Sequence, residues 1–172
     1  AVAKAAMDSG VATRPIADLE AYAEKLTEFV YKTSLFMRPV FNQARKDIKR
    51  IVLTEGEDER VLHAAQQVVS QKLAFPILVG DAKLIEERLH SQGLTIQPGK
   101  DFELIDIKNS PYYEASWKEY YNLRKRSGVT EEMARRRLKA NTTLVGALLV
   151  RLGHADGLVC GTMGRFHDHF AV

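Results

Sequence analysis

The hydrophobic period of residues 50–69 changes from that of a strand to that of a helix. Residues 51–53 form a short apolar run, and Gly56 interrupts it soon afterwards. Asp58 suits a helix N-cap, because its carboxylate accepts hydrogen bonds from free helical N–H groups. The pattern predicts a buried parallel strand, a tight turn and a helix that packs back on the sheet. The apolar side chains of that helix recur at the spacing of one face: Val61, Leu62, Ala65, Val68 and Val69.

Three further strand patterns follow, at residues 74–79, 102–107 and 157–161, with helical patterns between them. The pattern at residues 141–152 is apolar nearly all round, so we expect a buried helix there. Strands that alternate with helices are typical of a parallel sheet covered on both faces. We therefore predict a three-layer α/β/α fold with a mostly parallel sheet, which this chain leaves incomplete.

Residues 1–46 precede the first strand and show helical patterns. Asp18 is a candidate N-cap for a helix over residues 18–33. A second helix is predicted after Pro39, with Val40, Phe41 and Ala44 facing inward. We expect these helices to form an arm outside the α/β unit, and residues 1–15 to be the boundary of a longer protein.

Composition excludes several classes of protein. The net charge of +3 is too small to indicate a nucleic-acid partner. Cys160 is the single cysteine, so no internal disulfide forms and a reducing cytoplasm is the expected location. No apolar run approaches the roughly 20 residues of a membrane span, and no signal peptide is visible. We expect a cytoplasmic protein without a membrane partner.

The carboxyl ends of the predicted strands are the expected place for a ligand, as in other open α/β sheets. Residues 161–165 offer the richest chemistry among these ends. Gly161 and Gly164 let the backbone approach a ligand closely, and Thr162 supplies a hydroxyl. Arg165 carries a guanidinium suited to phosphate. This loop is the predicted site for a phosphorylated ligand.

Other polar groups have two interpretations each. The acidic turn at residues 55–59 suits Mg²⁺, but carboxylates at a helix N-terminus need no metal. His167 and His169 lack a third metal ligand, which favours surface histidines. Cys160 lies in a hydrophobic strand pattern and is predicted to be a small buried residue rather than a nucleophile. A basic run is either a solvated face or a phosphate contact: Arg135, Arg136, Arg137 and Lys139.

An aromatic stripe follows Pro111 at helical spacing. Such a stripe is more typical of a core or an oligomer surface than of a ligand cage. We regard this helix and the helix over residues 18–33 as candidate subunit contacts. The stripe consists of Tyr113, Trp117, Tyr120 and Tyr121.

Motifs in residues 50–65, 76–80, 128–134, 146–150 and 155–161 resemble the phosphate acetyl/butyryl transferase family. Their order and spacing cover roughly residues 34–164. The resemblance implies the phosphotransacetylase or isocitrate dehydrogenase-like version of the α/β/α fold. In that family a small loop containing His, Ser and Thr follows the strand at residues 155–161. Here the place is taken by residues 162–167, and the family's catalytic residues would lie beyond Val172.

Residues 1–16, 34–41 and 160–167 also resemble the large bacterial NADP-dependent malic enzymes, in which a malic enzyme domain is fused to a phosphotransacetylase-like domain. The resemblance implies a parent that oxidatively decarboxylates malate to pyruvate and CO₂, with NADP and a divalent metal, Mg²⁺ or Mn²⁺. It assigns residues 1–33 to the end of the malic enzyme domain and a helical linker. Residues 34–172 are assigned to the N-terminal part of the phosphotransacetylase-like domain.

The same resemblance implies that this segment is a regulatory module that senses acetyl-CoA and forms a homo-oligomer. No catalytic residue and no metal ligand is assigned within it. The candidate acetyl-CoA contacts are Gly161, Thr162, Gly164 and Arg165. Two alternatives stay open: a segment of a true phosphate acetyltransferase, which converts acetyl-CoA and phosphate to acetyl phosphate and CoA, or a purely structural module.

Overall fold

The computed structural model describes residues 32–107 and 109–170, together with residues 5, 7–11, 16, 18, 21 and 22. The chain divides into two compact units, Ala1–Gln43 and Ala44–Val172. In the first unit a helical turn ends at Gly10, where φ is 73°. Most of the helix predicted over residues 18–33 lies outside the described residues. Among the described residues, no helix is long and apolar enough to cross a membrane.

Helix α1 (Lys32–Lys46) runs through Pro39 without a break. The prediction of a separate helix after Pro39 is therefore wrong, and Val40 is 55% exposed rather than turned inward. A proline inside a helix removes one backbone hydrogen bond, and this helix continues without it. Arg45 and Lys46 occupy the last turn, where positive charge suits the helix dipole.

Four parallel strands form one sheet in the order β3-β2-β1-β4. In the register of the central strand, Ile51 lies opposite Pro76 on one side and Gly157 on the other. The last two strands are shorter than the sequence predicts. The strands are β1 (Lys49–Leu53), β2 (Ala74–Val79), β3 (Glu103–Ile105) and β4 (Gly157–Val159).

Helices connect the strands, and polar side chains cap four of them as short-range sequence signals predict. Asp58, Asp81, Thr130 and Asn141 each accept hydrogen bonds from N–H groups of the first turn. A 3-10 turn (Lys125–Ser127) ends at Gly128, where φ is 83°. The helices are α2 (Glu59–Ser70), α3 (Ala82–Ser91), α4 (Tyr113–Arg124), α5 (Glu131–Ala140), α6 (Thr142–Arg151) and α7 (Phe166–Phe170).

Each face of the sheet carries its own hydrophobic core, which confirms the three-layer α/β/α prediction. One face packs on α2 and α3 through residues such as Leu78 and Phe102. The other packs on α4, α5 and α6 and contains Trp117 and Tyr120, so these two aromatic side chains belong to the core of the chain itself. Gly146 lets α6 approach β1 closely, since a Cβ there would lie 2.8 Å from Thr54 Cγ2.

Strand β4 is the least covered strand of the sheet. Val159 is 57% exposed, because β4 lies at the edge and pairs only with β1. Cys160 follows the strand and is half-buried, so the prediction that it is buried within a strand is wrong. The carboxyl end of β4 thus leads directly from the sheet edge into the loop of residues 161–165.

Candidate functional site

A cleft of about 440 Å³ opens at the carboxyl ends of the strands. From β1 the chain builds the sheet in one direction through β2 and β3, and then returns to place β4 on the other side of β1. Open α/β sheets bind their ligands at such a reversal of strand order. The N-terminus of α6 reaches the same edge, because helices that connect parallel strands run antiparallel to them. The polar residues that line the cleft include Glu55, Glu57, Arg88, Asn141, Thr143 and His169.

The loop after β4 is held at three successive residues by side chains from three parts of the chain. The N–H of Gly161 donates to Glu55 Oε1 over 2.8 Å. Arg60 Nη2 donates to the carbonyl of Thr162 over 3.1 Å. His169 Nε2 lies 2.7 Å from the carbonyl of Met163. The loop therefore has a defined position, although Gly161 and Gly164 both have positive φ.

His169 joins this loop to helix α6. Its Nδ1 lies 2.9 Å from Thr143 Oγ1, and its Nε2 lies 3.9 Å from Glu55 Oε1. A carbonyl oxygen only accepts hydrogen bonds, so the contact with Met163 places a proton on Nε2. The side chain is only 14% exposed. The prediction of a surface histidine is wrong for His169, whereas His167 is exposed.

Cys160 lies beside the same cluster. Burial raises the pKa of its thiol, and the nearby carboxylate of Glu55 raises it further, while a hydrogen bond with Thr143 acts in the opposite direction. A raised pKa keeps the sulfur protonated near neutral pH, and a protonated thiol is a weak nucleophile. This agrees with the prediction that Cys160 has no nucleophilic role.

The acidic turn after β1 uses its carboxylates to hold the backbone. Glu57 Oε1 accepts from the N–H of Asp81 over 2.8 Å, and Arg88 donates to the carbonyl of Glu57. Asp58 caps α2, and its hydrogen bond with the guanidinium of Arg60 lowers its pKa to about 2. Within the described parts of the chain, no three His, Cys, Asp or Glu residues are placed to hold a metal ion.

A second cavity, of about 610 Å³, lies beyond Glu57 at the ends of β2 and β3. Asp81 and Asp106 line it together with Lys83 and Lys139, so its wall carries both signs of charge. Lys139 is the one member of the predicted basic run that lines this cavity. Its ammonium also lies 5.4 Å from the ring centre of Tyr113.

Two arginines of the basic run contact the aromatic side chains of α4. The guanidinium of Arg135 lies 4.0 Å from the ring centre of Trp117, and Arg137 Nη1 donates to the hydroxyl of Tyr120 over 2.8 Å. A cation over an aromatic face is stabilising by roughly 0.5–1 kcal/mol at an exposed site. These arginines therefore cover the core, a role that the sequence analysis did not predict.

The structure separates the four predicted site residues into two groups. Gly164 lines the cleft, and Arg165 follows it as an exposed residue. The N–H of Gly161 and the carbonyl of Thr162 instead bind side chains of the protein. The meeting of Glu55, Thr143 and His169 at the cleft was not predicted from the sequence. The helix predicted over residues 141–152 should begin at the carboxyl edge of the sheet, and this signal could have pointed to Thr143.

The strand order and the cleft define a doubly wound α/β protein. The chain belongs to the phosphate acetyl/butyryl transferase family: the profile described as "Phosphate acetyl/butaryl transferase" matches residues 35–171. A phosphotransacetylase from Streptococcus pyogenes has a similar structure, with a TM-score of 0.68 and 27% identity over 78% of this chain and 41% of that one.

Two kinds of curated relative match the sequence. An NADP-dependent malic enzyme from Salmonella typhimurium is 56% identical over 172 residues, which is 100% of this chain and 23% of the relative. A phosphate acetyltransferase from Helicobacter pylori is 36% identical over 126 residues, which is 73% of this chain and 24% of the relative. The chain thus spans about a quarter of the length of either relative.

Proposed function

We propose that this chain is a segment of a cytoplasmic NADP-dependent malic enzyme that oxidatively decarboxylates malate to pyruvate and CO₂. The observation that carries the proposal is the 56% identity to such an enzyme across the whole chain. Identity to the phosphate acetyltransferase is lower and covers only 73% of the chain. We place the end of the malic enzyme domain and a linker in residues 1–33, and the phosphotransacetylase-like part in residues 34–172.

Within that parent we assign this segment a regulatory role, without catalysis of its own. It binds acetyl-CoA as an effector and contributes to a homo-oligomer. NADP and Mg²⁺ or Mn²⁺ belong to the malic enzyme domain of the proposed parent. The support for a binding role is the cleft at the strand-order reversal, where the fold concentrates polar side chains from the turn after β1, the N-terminus of α6 and helix α7.

The charges around the cleft suggest how acetyl-CoA would lie. Glu55, Glu57 and Asp58 line the cleft, and carboxylates repel phosphate. The amide N–H groups of pantetheine, in contrast, are donors that suit carboxylate and carbonyl oxygens. We therefore place the acetyl and pantetheine end in the cleft beside Gly164. The phosphates would lie outside it, near the exposed guanidinium of Arg165.

The test is the rate of malate-dependent NADPH formation by the full-length protein, followed by absorbance with increasing acetyl-CoA. We expect acetyl-CoA to lower the rate. Arg165→Ala should raise the acetyl-CoA concentration for half effect by about tenfold, since a hydrogen bond to a charged group contributes roughly 1.5–3 kcal/mol. Arg126→Ala, in the exposed 3-10 turn, is the matched control and should respond like the unmodified protein.

Each alternative outcome has a defined meaning. An unchanged response in Arg165→Ala would place the ligand elsewhere, and malate activity without any acetyl-CoA response would contradict sensing. Removal of residues 34–172 should then change the mass in solution alone, as for a structural module. Absence of malate activity would favour the second candidate, a phosphate acetyltransferase, which the similarity to the Streptococcus pyogenes structure supports. Formation of acetyl phosphate from acetyl-CoA and phosphate would establish that activity.

A further inference from the structure

The loop of residues 161–164 is one wall of the cleft, and its position depends on side chains distant in sequence. Met163 and Gly164 line the cleft directly. Glu55 and Arg60 hold the loop from the side of β1 and α2. His169 holds it from the opposite side and is itself bonded to α6. His169 is thus the side chain that connects this wall of the cleft to the facing wall.

We propose that His169 is a positioning residue: by bridging the carbonyl of Met163 and the hydroxyl of Thr143, it fixes the loop of residues 161–164 as a wall of the cleft. The contacts measure 2.7 and 2.9 Å, which are normal hydrogen-bond lengths. The imidazole places one nitrogen on each side of a rigid ring, so a single side chain serves both walls.

The bridge is partly sheltered from solvent at its Thr143 end. Thr143 is 6% exposed and lies in the first turn of α6, and the side chain of His169 is 14% exposed. The other end is open to water, because Met163 is 59% exposed. Loss of the bridge would therefore take a partner mainly from the nearly buried hydroxyl of Thr143.

The backbone of the loop explains why it needs such a restraint. Gly161 and Gly164 have φ values of 98° and 88° and flank the two residues whose carbonyls are bound. Glycine has access to many other conformations, so the loop has little conformational preference of its own. Without His169 the carbonyl of Met163 loses its partner. The loop should then move away from α6 and uncover Cys160, which directly precedes it.

The thiol of Cys160 therefore reports the position of the loop. In the full-length protein we would measure the rate at which iodoacetamide alkylates Cys160, by mass spectrometry of the peptide that contains it. Amide hydrogen exchange of the peptide over residues 160–166 is the second readout. His169→Phe retains most of the ring volume but makes neither hydrogen bond. We expect both rates to rise several-fold, the order of effect of one lost, partly buried hydrogen bond.

Matched variants show whether faster rates come from loss of the His169 bridge or from a general loosening of the fold. His167→Phe changes an exposed histidine two residues away and should leave both rates unchanged. Thr143→Val removes the hydroxyl from the other end of the bridge and should raise the amide exchange rate. Exchange alone is the readout for this variant, because the same hydroxyl bonds the Cys160 thiol and lowers its pKa. Thr143→Ser retains the hydroxyl and should restore an exchange rate close to that of the unmodified protein. This pair of Thr143 variants also tests the proposal if His169→Phe fails to fold.

Unchanged amide exchange in folded His169→Phe and Thr143→Val would overturn the proposal. So would an equal rise in the His167→Phe and Thr143→Ser controls, because the effect would then be independent of the bridge. A further consequence, a weaker acetyl-CoA response in His169→Phe, rests on the proposed function. If the unmodified protein shows no acetyl-CoA response while the thiol and exchange results hold, the proposed function fails and the positioning role stands.

Discussion

The two edges of the sheet use similar polar residues for different purposes. At the amino edge, which is formed by the amino ends of the parallel strands, charged side chains bind one another and the backbone. These contacts join the strands together. At the carboxyl edge, carboxylates mainly bind backbone N–H groups of the loops, and two cavities of about 440 and 610 Å³ remain between those loops. The comparison separates groups that align the strands from groups that shape a cleft.

Arg50 is the centre of the amino edge. Its backbone N–H donates to Asp156 over 2.7 Å, and its Nε donates to the carbonyl of His154 over 3.0 Å. Its guanidinium also pairs with Glu103 and lies 5.5 Å from the ring centre of Phe75. Because these partners lie on β2, on β3 and just before β4, one side chain of β1 contacts every other strand or the segment that leads into it.

A second layer of contacts completes the amino edge. The hydroxyl of Tyr112 donates to Glu103 over 3.1 Å, and the ring centre of Tyr112 lies 4.4 Å from that of His154, with the ring planes inclined at 41°. Burial raises the pKa of Tyr112, and its hydrogen bond with the carboxylate of Glu103 raises it further. Tyr112 therefore stays protonated near neutral pH and remains a donor to Glu103. Because the two edges use different groups, we expect strand alignment and cleft formation to be separable in this fold.

Arg50→Met should give the largest effect and test that separation directly. It removes the ion pair with Glu103 and the bond to His154, and we expect a loss of about 2 kcal/mol in the free energy of unfolding. That value lies below the 3–5 kcal/mol of a fully buried pair, because the Arg50 side chain is 42% exposed. The midpoint of urea unfolding measures it.

The control for Arg50→Met is Lys49→Met, whose side chain pairs with Asp47 at the surface. It should leave the urea midpoint almost unchanged, because exposed ion pairs contribute little. Alkylation of Cys160 should be the same in both variants. Faster alkylation in Arg50→Met would show that the two edges are coupled and would contradict the comparison.

Gly146→Ala should have an intermediate effect and act on the carboxyl edge. The new Cβ would lie 2.8 Å from Thr54 Cγ2 and 3.2 Å from Val52 Cγ1. Overpacking costs about 1–3 kcal/mol, and the better helix propensity of alanine offsets roughly 1 kcal/mol of this. We expect a net loss of about 1 kcal/mol in urea unfolding, with faster alkylation of Cys160 because α6 shifts.

The matched control is Gly157→Ala in β4. A Cβ there would meet only Ile51 Cδ1, at an ordinary 3.5 Å. This variant should therefore unfold at the same urea concentration as the unmodified protein. Equal losses in the two variants would show that the close approach of α6 to β1 has no special role.

Asp58→Asn should give the smallest effect, and one that depends on pH. Asparagine still caps a helix, so the variant loses the charge pairing with Arg60, which contributes little at an exposed site. The pKa of Asp58 is lowered to about 2 in the folded protein. Its contribution is therefore fully present above the ordinary pKa near 3.8 and is lost as pH falls through about 2.

Thermal unfolding between pH 7 and pH 2 checks this sign. The unmodified protein should unfold at a slightly higher temperature than Asp58→Asn at pH 7, and the difference should vanish near pH 2. A difference that grows on acidification would mean that the carboxylate destabilises the fold. Such a result would remove Asp58 from the groups that support the carboxyl edge.

Much of the fold could be predicted from local sequence because its signals are local. The strand at residues 74–79 and the cap at Asp58 depend on neighbours within a few positions. The same local rule gave the wrong result at Pro39, where the helix continues despite the missing N–H. The hydrophobic period and the N-cap residues thus predicted the layers of the fold. The exact first and last residues of a helix could not be predicted from one residue type such as proline.

Only the location of the cleft could be predicted from the sequence. The contacts that build it join residues far apart in sequence: Glu55 and Gly161 are separated by 106 positions, and Thr143 and His169 by 26. Hydrophobic periodicity carries no information on such pairs. Local residue types predicted a phosphate-binding loop at Gly161 and a surface position for His169. In the folded chain, side chains distant in sequence hold the loop, and His169 is partly buried as a bridge to Thr143.

The strand order has a consequence for how the chain folds during synthesis. Strand β1 reaches its partner β4 only after a long connection, since Arg50 and Asp156 are 106 positions apart. At roughly 5–20 residues per second, the ribosome takes on the order of 5–20 s to supply that partner. For that time one edge of β1 has unpaired N–H and carbonyl groups, which are a template for pairing with another chain. The nascent chain should therefore be most vulnerable to aggregation between the synthesis of β3 and that of β4.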